Sequence, residues 1–129
     1  MSARTLADIV KPNFIEVAPE DTLGEVADRM TAKNVGAVIV KDFGRLIGIL
    51  TERDMLKAMA ARVHTSEARV RQWMTEDPIT VSPDTPLGDA AQVMLDNGFR
   101  HLPVVDEGQV VGVVSLRRVV AATQPASAA

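Results

Sequence analysis

The stretch Leu46-Ile47-Gly48-Ile49-Leu50-Thr51-Glu52-Arg53-Asp54 is an apolar run that stops abruptly at a hydroxyl, with a carboxylate three residues later. Met55, Leu56 and Met59 follow at helical spacing. The pattern predicts a strand running into a helix, with Thr51 as N-cap and Asp54 in the first turn. Met55, Leu56, Met59 and Val63 are then expected to face inward. Such a corner gathers open backbone N–H groups and the positive end of a helix dipole. It can hold a phosphate, with Thr51 donating a hydrogen bond and Asp54 accepting one from a sugar hydroxyl. The plainer alternative is an ordinary N-cap beside a dipole-stabilising carboxylate, and these residues alone favour it.

The balance shifts because the chain is written twice. Shifted by 64 residues, the sequence aligns with itself without a gap from Leu6/Val70 to Leu56/Val120. Identities include Ile15/Ile79, Val17/Val81, Pro19/Pro83, Leu23/Leu87, Gly24/Gly88, Met30/Met94, Val40/Val104, Gly48/Gly112 and Arg53/Arg117. Two copies exclude a long solenoid and point to a pseudo-twofold pair.

Each copy reads strand, helix, strand, strand, helix. In the first, Leu6 to Val10 forms a short helical turn stopped by Pro12, and Phe14 to Val17 alternates as a strand. Leu23, Val26, Ala27 and Met30 make a core-facing helical stripe capped by Asp21 or Thr22, and Asn34 ends the helix in a left-handed conformation. Ala37 to Val40 reads as a strand covered on both faces, paired in a hairpin with Arg45 to Leu50. In the second copy, Val70 to Met74 matches the opening turn and Pro78 to Val81 the first strand. Thr85 caps a helix with Pro86 at its first position. Leu102–Val105 and Val110–Ser115 make the second hairpin, and Arg117 to Ala122 begins the last helix. The fold class is α/β (α+β), two pseudo-twofold-related β-α-β-β-α repeats in one module. The first repeat takes residues 1–66 with the N-terminal segment and connector, the second 67–123, and residues 124–129 read as a disordered tail.

The 129 residues suffice for a real hydrophobic core. The only aromatics are Phe14, Phe43, Trp73 and Phe99, so that core is aliphatic. A net charge of −3 offers no broad basic field and speaks against general nucleic-acid binding. The absence of cysteine excludes thiol catalysis, disulfides and cysteine zinc sites, and suits a cytoplasmic location. No signal-peptide core opens the chain, and no apolar run reaches membrane-spanning length.

In this order and spacing, Ile79-Thr80-Val81-Ser82-Pro83-Asp84, Leu102-Pro103-Val104-Val105-Asp106 and Gly48-Ile49-Leu50-Thr51-Glu52-Arg53-Asp54, each with its counterpart in the other copy, resemble a tandem pair of CBS domains, the Bateman module. The resemblance covers residues 6–122. It implies a stand-alone regulatory ligand-sensing module, not an enzyme, with no obligatory cofactor. Its regulatory ligand would be an adenine nucleotide (AMP, ADP, ATP or S-adenosylmethionine) held in a cleft between the repeats. Carried over by position, one cleft takes Thr51 and Asp54 for phosphate and ribose, Arg100 and His101 for the phosphates, and Asn13 and Phe14 along the adenine. The second cleft keeps the hydroxyl at Ser115 but has Arg118 in place of the ribose carboxylate, and an arginine cannot accept from ribose hydroxyls. Its partners across the cleft, Gly36 and Ala37, are uncharged, so it is expected to stand empty or to hold an anion or acidic partner through Arg117 and Arg118. The resemblance also implies a homodimer acting on an effector protein. No residues have metal-ligand spacing, since His64 lies in the connector, away from His101. The alternative to nucleotide sensing is a ligand-free interaction or dimerisation module.

Overall fold

The computed structural model describes residues 4–123; the tail read over residues 124–129 lies outside them. The chain forms two compact units. One is Phe14–Pro78, and the described part of the other comprises residues 4–13 and 79–123.

The Phe14–Pro78 unit contains β1 (Glu16–Val17), α1 (Leu23–Lys33), β2 (Ala37–Asp42), β3 (Arg45–Thr51), α2 (Glu52–Ala60), α3 (Val70–Trp73) and β4 (Thr75–Glu76). Its sheet runs β1-β2-β3-β4, with β1 parallel to β2 and the other pairs antiparallel. Thr22 caps α1 by accepting from the Glu25 backbone at 3.2 Å, and Asn34 closes it in the left-handed region at φ 53°. Leu23, Val26 and Met30 are buried with Ile15, Val17, Val38, Val40, Leu50, Ala68 and Val70. β2 is buried from Ala37 through Val40, as its unbroken apolar run predicts.

The other unit contains a 3-10 turn (Leu6–Asp8), α4 (Leu87–Asn97), β5 (His101–Asp106), β6 (Gln109–Ser115) and α5 (Leu116–Thr123). Its core is Leu6, Leu87, Ala90, Met94, Leu102, Val104, Val114 and Val119. The two hairpins share a detail that the repeat demands: a register shift at Val40/Lys41 and again at Val104/Val105.

Packing cuts the chain differently from the repeat. The opening turn of each copy closes the unit built on the other copy. Leu6 N donates to Thr85 O (3.0 Å) as Val70 N does to Asp21 O (2.9 Å). Ala7 N donates to Pro83 O and Arg71 N to Pro19 O, both at 2.8 Å. Leu87 N donates to Arg4 O and Leu23 N to Ala68 O. The division at residue 66 is therefore a division of sequence, while the compact units exchange their first helical turns.

Four sequence readings change. The strand expected over Phe14–Val17 shortens to Glu16–Val17. The one expected over Pro78–Val81 shrinks to a single parallel bridge, Val81 to Val104. The cause is Pro103: its counterpart Ile39 donates its N–H to Ile15 O at 2.9 Å, and proline has no N–H to give. Thr85 does not cap α4. Pro86 holds the N-cap position, the counterpart of Thr22, and the Thr85 hydroxyl accepts from Ser82 N at 3.2 Å. Finally, Leu56 and Met59 point outward, 64% and 70% exposed. Ala58 and Asp54 are the buried residues of α2, with Met55 and Val63 packed beside the core.

Candidate functional site

β3 delivers Thr51 to the start of α2 with extended dihedrals, φ −116° and ψ 167°. The Thr51 hydroxyl accepts from Asp54 N (3.3 Å) and donates to Asp54 Oδ2 (3.1 Å). Thr51 N donates to the same Oδ2 at 2.9 Å. This is a reciprocal capping box, and it leaves Asp54 only 8% exposed. A carboxylate is costly to bury unless hydrogen-bonded, and here the helix start supplies both the bonds and a favourable dipole. Beside it, Ala37 pairs with Thr51 across the sheet, and Glu52 N donates to Gly36 O at 2.9 Å.

The second corner repeats this frame with different side chains. His101 pairs with Ser115, and Leu116 N donates to Arg100 O at 2.8 Å. Ser115 Oγ accepts from Arg118 N at 3.1 Å. No carboxylate closes the box, because Arg118 stands where the first copy has Asp54. Its Nε instead donates to Ile9 O at 3.1 Å.

Thr51, Asp54 and Ala37 thus come together in the Phe14–Pro78 unit, which also holds Phe14. Arg100, His101, Ser115, Arg117 and Arg118 cluster in the other unit, which also holds Asn13. The residues expected in each cleft are thus divided between the two units. Sequence reasoning missed two contributors: the Gly36 and Arg100 carbonyls that cap the helix starts, and the use of Arg118 as a donor to Ile9. Backbone carbonyls carry no residue-type signal, and the Ile9 contact joins positions far apart in the chain. Among the described residues, no three His, Cys, Asp or Glu side chains group as metal ligands. None of their helices is long and apolar enough to cross a membrane.

Two copies of one plan, the second with its first strand reduced to a single bridge and each with a hydroxyl at the start of its last helix, define a tandem α+β repeat protein. The chain belongs to the CBS-domain family, whose model matches residues 6–61 and 70–124. It is 33% identical over 112 residues to the CBS domain-containing protein YhcV of Bacillus subtilis, covering 87% of this chain and 80% of that one. It is 40% identical over 117 residues to an uncharacterised 17.7 kDa protein of Acidianus ambivalens, covering 89% of this chain but 66% of the relative's length. Among solved structures, it resembles the CBS domain pair of protein MJ0100 in complex with 5′-methylthioadenosine and S-adenosyl-L-methionine: TM-score 0.82, 27% identity, 94% of this chain and 95% of that one. It also resembles CBSX2 in complex with AMP: TM-score 0.77, 26% identity, 93% and 96%.

Proposed function

We propose that this chain is a regulatory module that binds an adenine nucleotide or S-adenosylmethionine and signals by a change of conformation. The observation that carries the reading is the Thr51–Asp54 corner. Both bonds to Asp54 fall on Oδ2. The carboxylate is thereby fixed in direction, and Oδ1 is the oxygen to accept from a ribose hydroxyl. Arg100 and His101 would meet the phosphates, and Asn13 and Phe14 would line the adenine. The named complexes of MJ0100 and CBSX2 support an adenosine-type ligand. Signalling requires that the two conformations bind the ligand with different affinity, and the receiving partner would be an effector protein. The exposed pair Leu56 and Met59 suits burial against a second copy. Their exposure also favours the second reading, a ligand-free dimerisation module.

The test is isothermal titration of AMP, ADP, ATP and S-adenosylmethionine into the wild type, Asp54→Ala and Glu25→Ala. Glu25→Ala opens a capping box of the same kind away from the corner, so it controls for lost helix stability. Saturable binding near one per chain, lost only in Asp54→Ala, supports the sensor. Binding by none of the four overturns it and leaves the dimerisation module; equal binding by Asp54→Ala overturns the Thr51–Asp54 corner as the binding site.

A further inference from the structure

The two exchanged opening segments are held in place by different means. In the Phe14–Pro78 unit the segment ends in β4, paired against β3 with Glu76 opposite Gly48 and Thr75 opposite Ile49. Asp77 N continues the ladder to Ile47 O at 3.1 Å. The matching residues of the other unit are Lys11, Pro12 and Asn13, and they form no strand. Pro12 has no N–H to give to a ladder, and the chain bends there. The close approach survives without the ladder: a Cβ on Gly112 would meet the Val10 side chain and lie 2.8 Å from Lys11 O, as one on Gly48 would lie 2.9 Å from Thr75 O.

A side chain takes the place of the ladder. Arg118 Nε donates to Ile9 O, one residue before that close approach. The tie belongs to one unit only, because the counterpart of Arg118 is Asp54, whose carboxylate is turned into its own capping box.

We propose that Arg118 is a latch that holds the stretch from Ile9 to Asn13 of the N-terminal strap, residues 4–13, on its unit, and that this stretch is the part of the strap released first. Arg118 acts as a positioning residue rather than as a ligand-binding cation. A guanidinium is well suited to such a latch, because it stays charged at every physiological pH and its charge-assisted bond to a carbonyl is stronger than a neutral one. Leu6, fully buried, anchors the strap at its other end. Release therefore begins at Ile9 and runs toward Asn13 and Phe14, the next residues of the chain. The inference goes beyond the nucleotide reading and stands whether or not a nucleotide binds.

The test is residue-resolved amide hydrogen exchange on the full chain, comparing wild type with Arg118→Ala, Arg118→Lys and Arg117→Ala. The amides to follow are Ile9 and Val10, both bonded to Leu6 O. Arg118→Ala should speed their exchange about fivefold, the equivalent of one net hydrogen bond. Arg118→Lys should recover part of the protection, and Arg117→Ala should change nothing. Amides of Met74 and Asp77 should stay as in wild type. Unchanged exchange at Ile9 and Val10 overturns the latch. So does an equal rise throughout residues 79–123, which would make Arg118 a general support of its unit. A second measurement needs no variant: in wild type the Nε proton of Arg118 should exchange more slowly than that of Arg117, and equal rates overturn the proposal.

Discussion

Truncating Leu6 to alanine should loosen the unit containing residues 79–123 and leave Phe14–Pro78 intact, although Leu6 belongs by sequence to the first copy. Leu6 is fully buried among Leu87, Met94, Leu102 and Val119. Removing its outer carbons forfeits about 2 kcal/mol of transfer free energy, at about 0.8 kcal/mol for each. The cavity left behind adds to that, and measured Leu-to-Ala losses span about 2–5 kcal/mol. The upper half of that range is expected here. The strap is fixed on both sides by Leu6 N to Thr85 O and Ala7 N to Pro83 O, so it cannot slide in to fill the space. The assay is native-state hydrogen exchange under low urea, with Val70→Ala as the mirror experiment in the other unit. Leu6→Ala should collapse protection in β5 and β6 before β2 and β3, and Val70→Ala should do the reverse. Loss of protection appearing first in Phe14–Pro78 after Leu6→Ala, or a loss below about 1 kcal/mol, would refute the exchanged packing.

Gly48→Ala should cost about 1–3 kcal/mol and strip protection from Asp77, because the new Cβ would lie 2.9 Å from the backbone oxygen of Thr75; a neutral urea midpoint would contradict this. The carboxyl of Asp8 is held below the ordinary range by the backbone N–H groups of Arg4 and Thr5 that donate to it. Its folded pKa is depressed, so its stabilisation of the strap is complete above the unfolded carboxylate value near ~4 and fades as pH falls through the lower folded value. An NMR titration of Asp8 midway at the ordinary value would refute that. Pro103→Ile restores the N–H that Ile39 has in the first copy, so a protected amide is expected at position 103, bonded to Ile79 O; exchange at the unprotected rate would show that Pro103 is not what shortens the strand.

The elements with a side-chain signal were legible. The stripe at Leu23, Val26 and Met30, the left-handed Asn34 and the Thr51 cap all stand where periodicity and capping chemistry put them. The strand pairing of both hairpins was legible too. What stayed hidden depends on partners distant in sequence. Leu56 and Met59 match the helical spacing of a core stripe, yet Ala58 and Asp54 occupy the buried side of α2. A small residue and a capped carboxylate are poor advertisements for burial, while leucine and methionine are strong ones. The exchange of opening turns was equally invisible. Leu6 and Val70 are apolar in either arrangement, and only the bonds to Thr85 and Asp21 decide which core each one enters. At the candidate site, residue types announced Thr51 and Asp54, but nothing in the sequence could place Arg100 and His101 beside Ser115 before the sheet register was known.

The departures between the copies fall on one side. Pro103 removes a ladder donor, Pro12 bends the chain out of a fourth strand, and Arg118 replaces the carboxylate that would close the second capping box. All three belong to the unit of residues 4–13 and 79–123. Each exchanges backbone pairing or a reciprocal cap for something weaker or singly held. Local stability follows the density of protected hydrogen bonds, so this unit should open at lower free energy than Phe14–Pro78 with its four-stranded sheet. The intact corner at Thr51 and Asp54 then sits on the stiffer unit, where a fixed carboxylate loses least on binding a ligand. The softer unit carries the strap, and its stretch from Ile9 to Asn13, tied by Arg118 and by the packing of Ile9 and Val10, can be released without unfolding the core around Leu6.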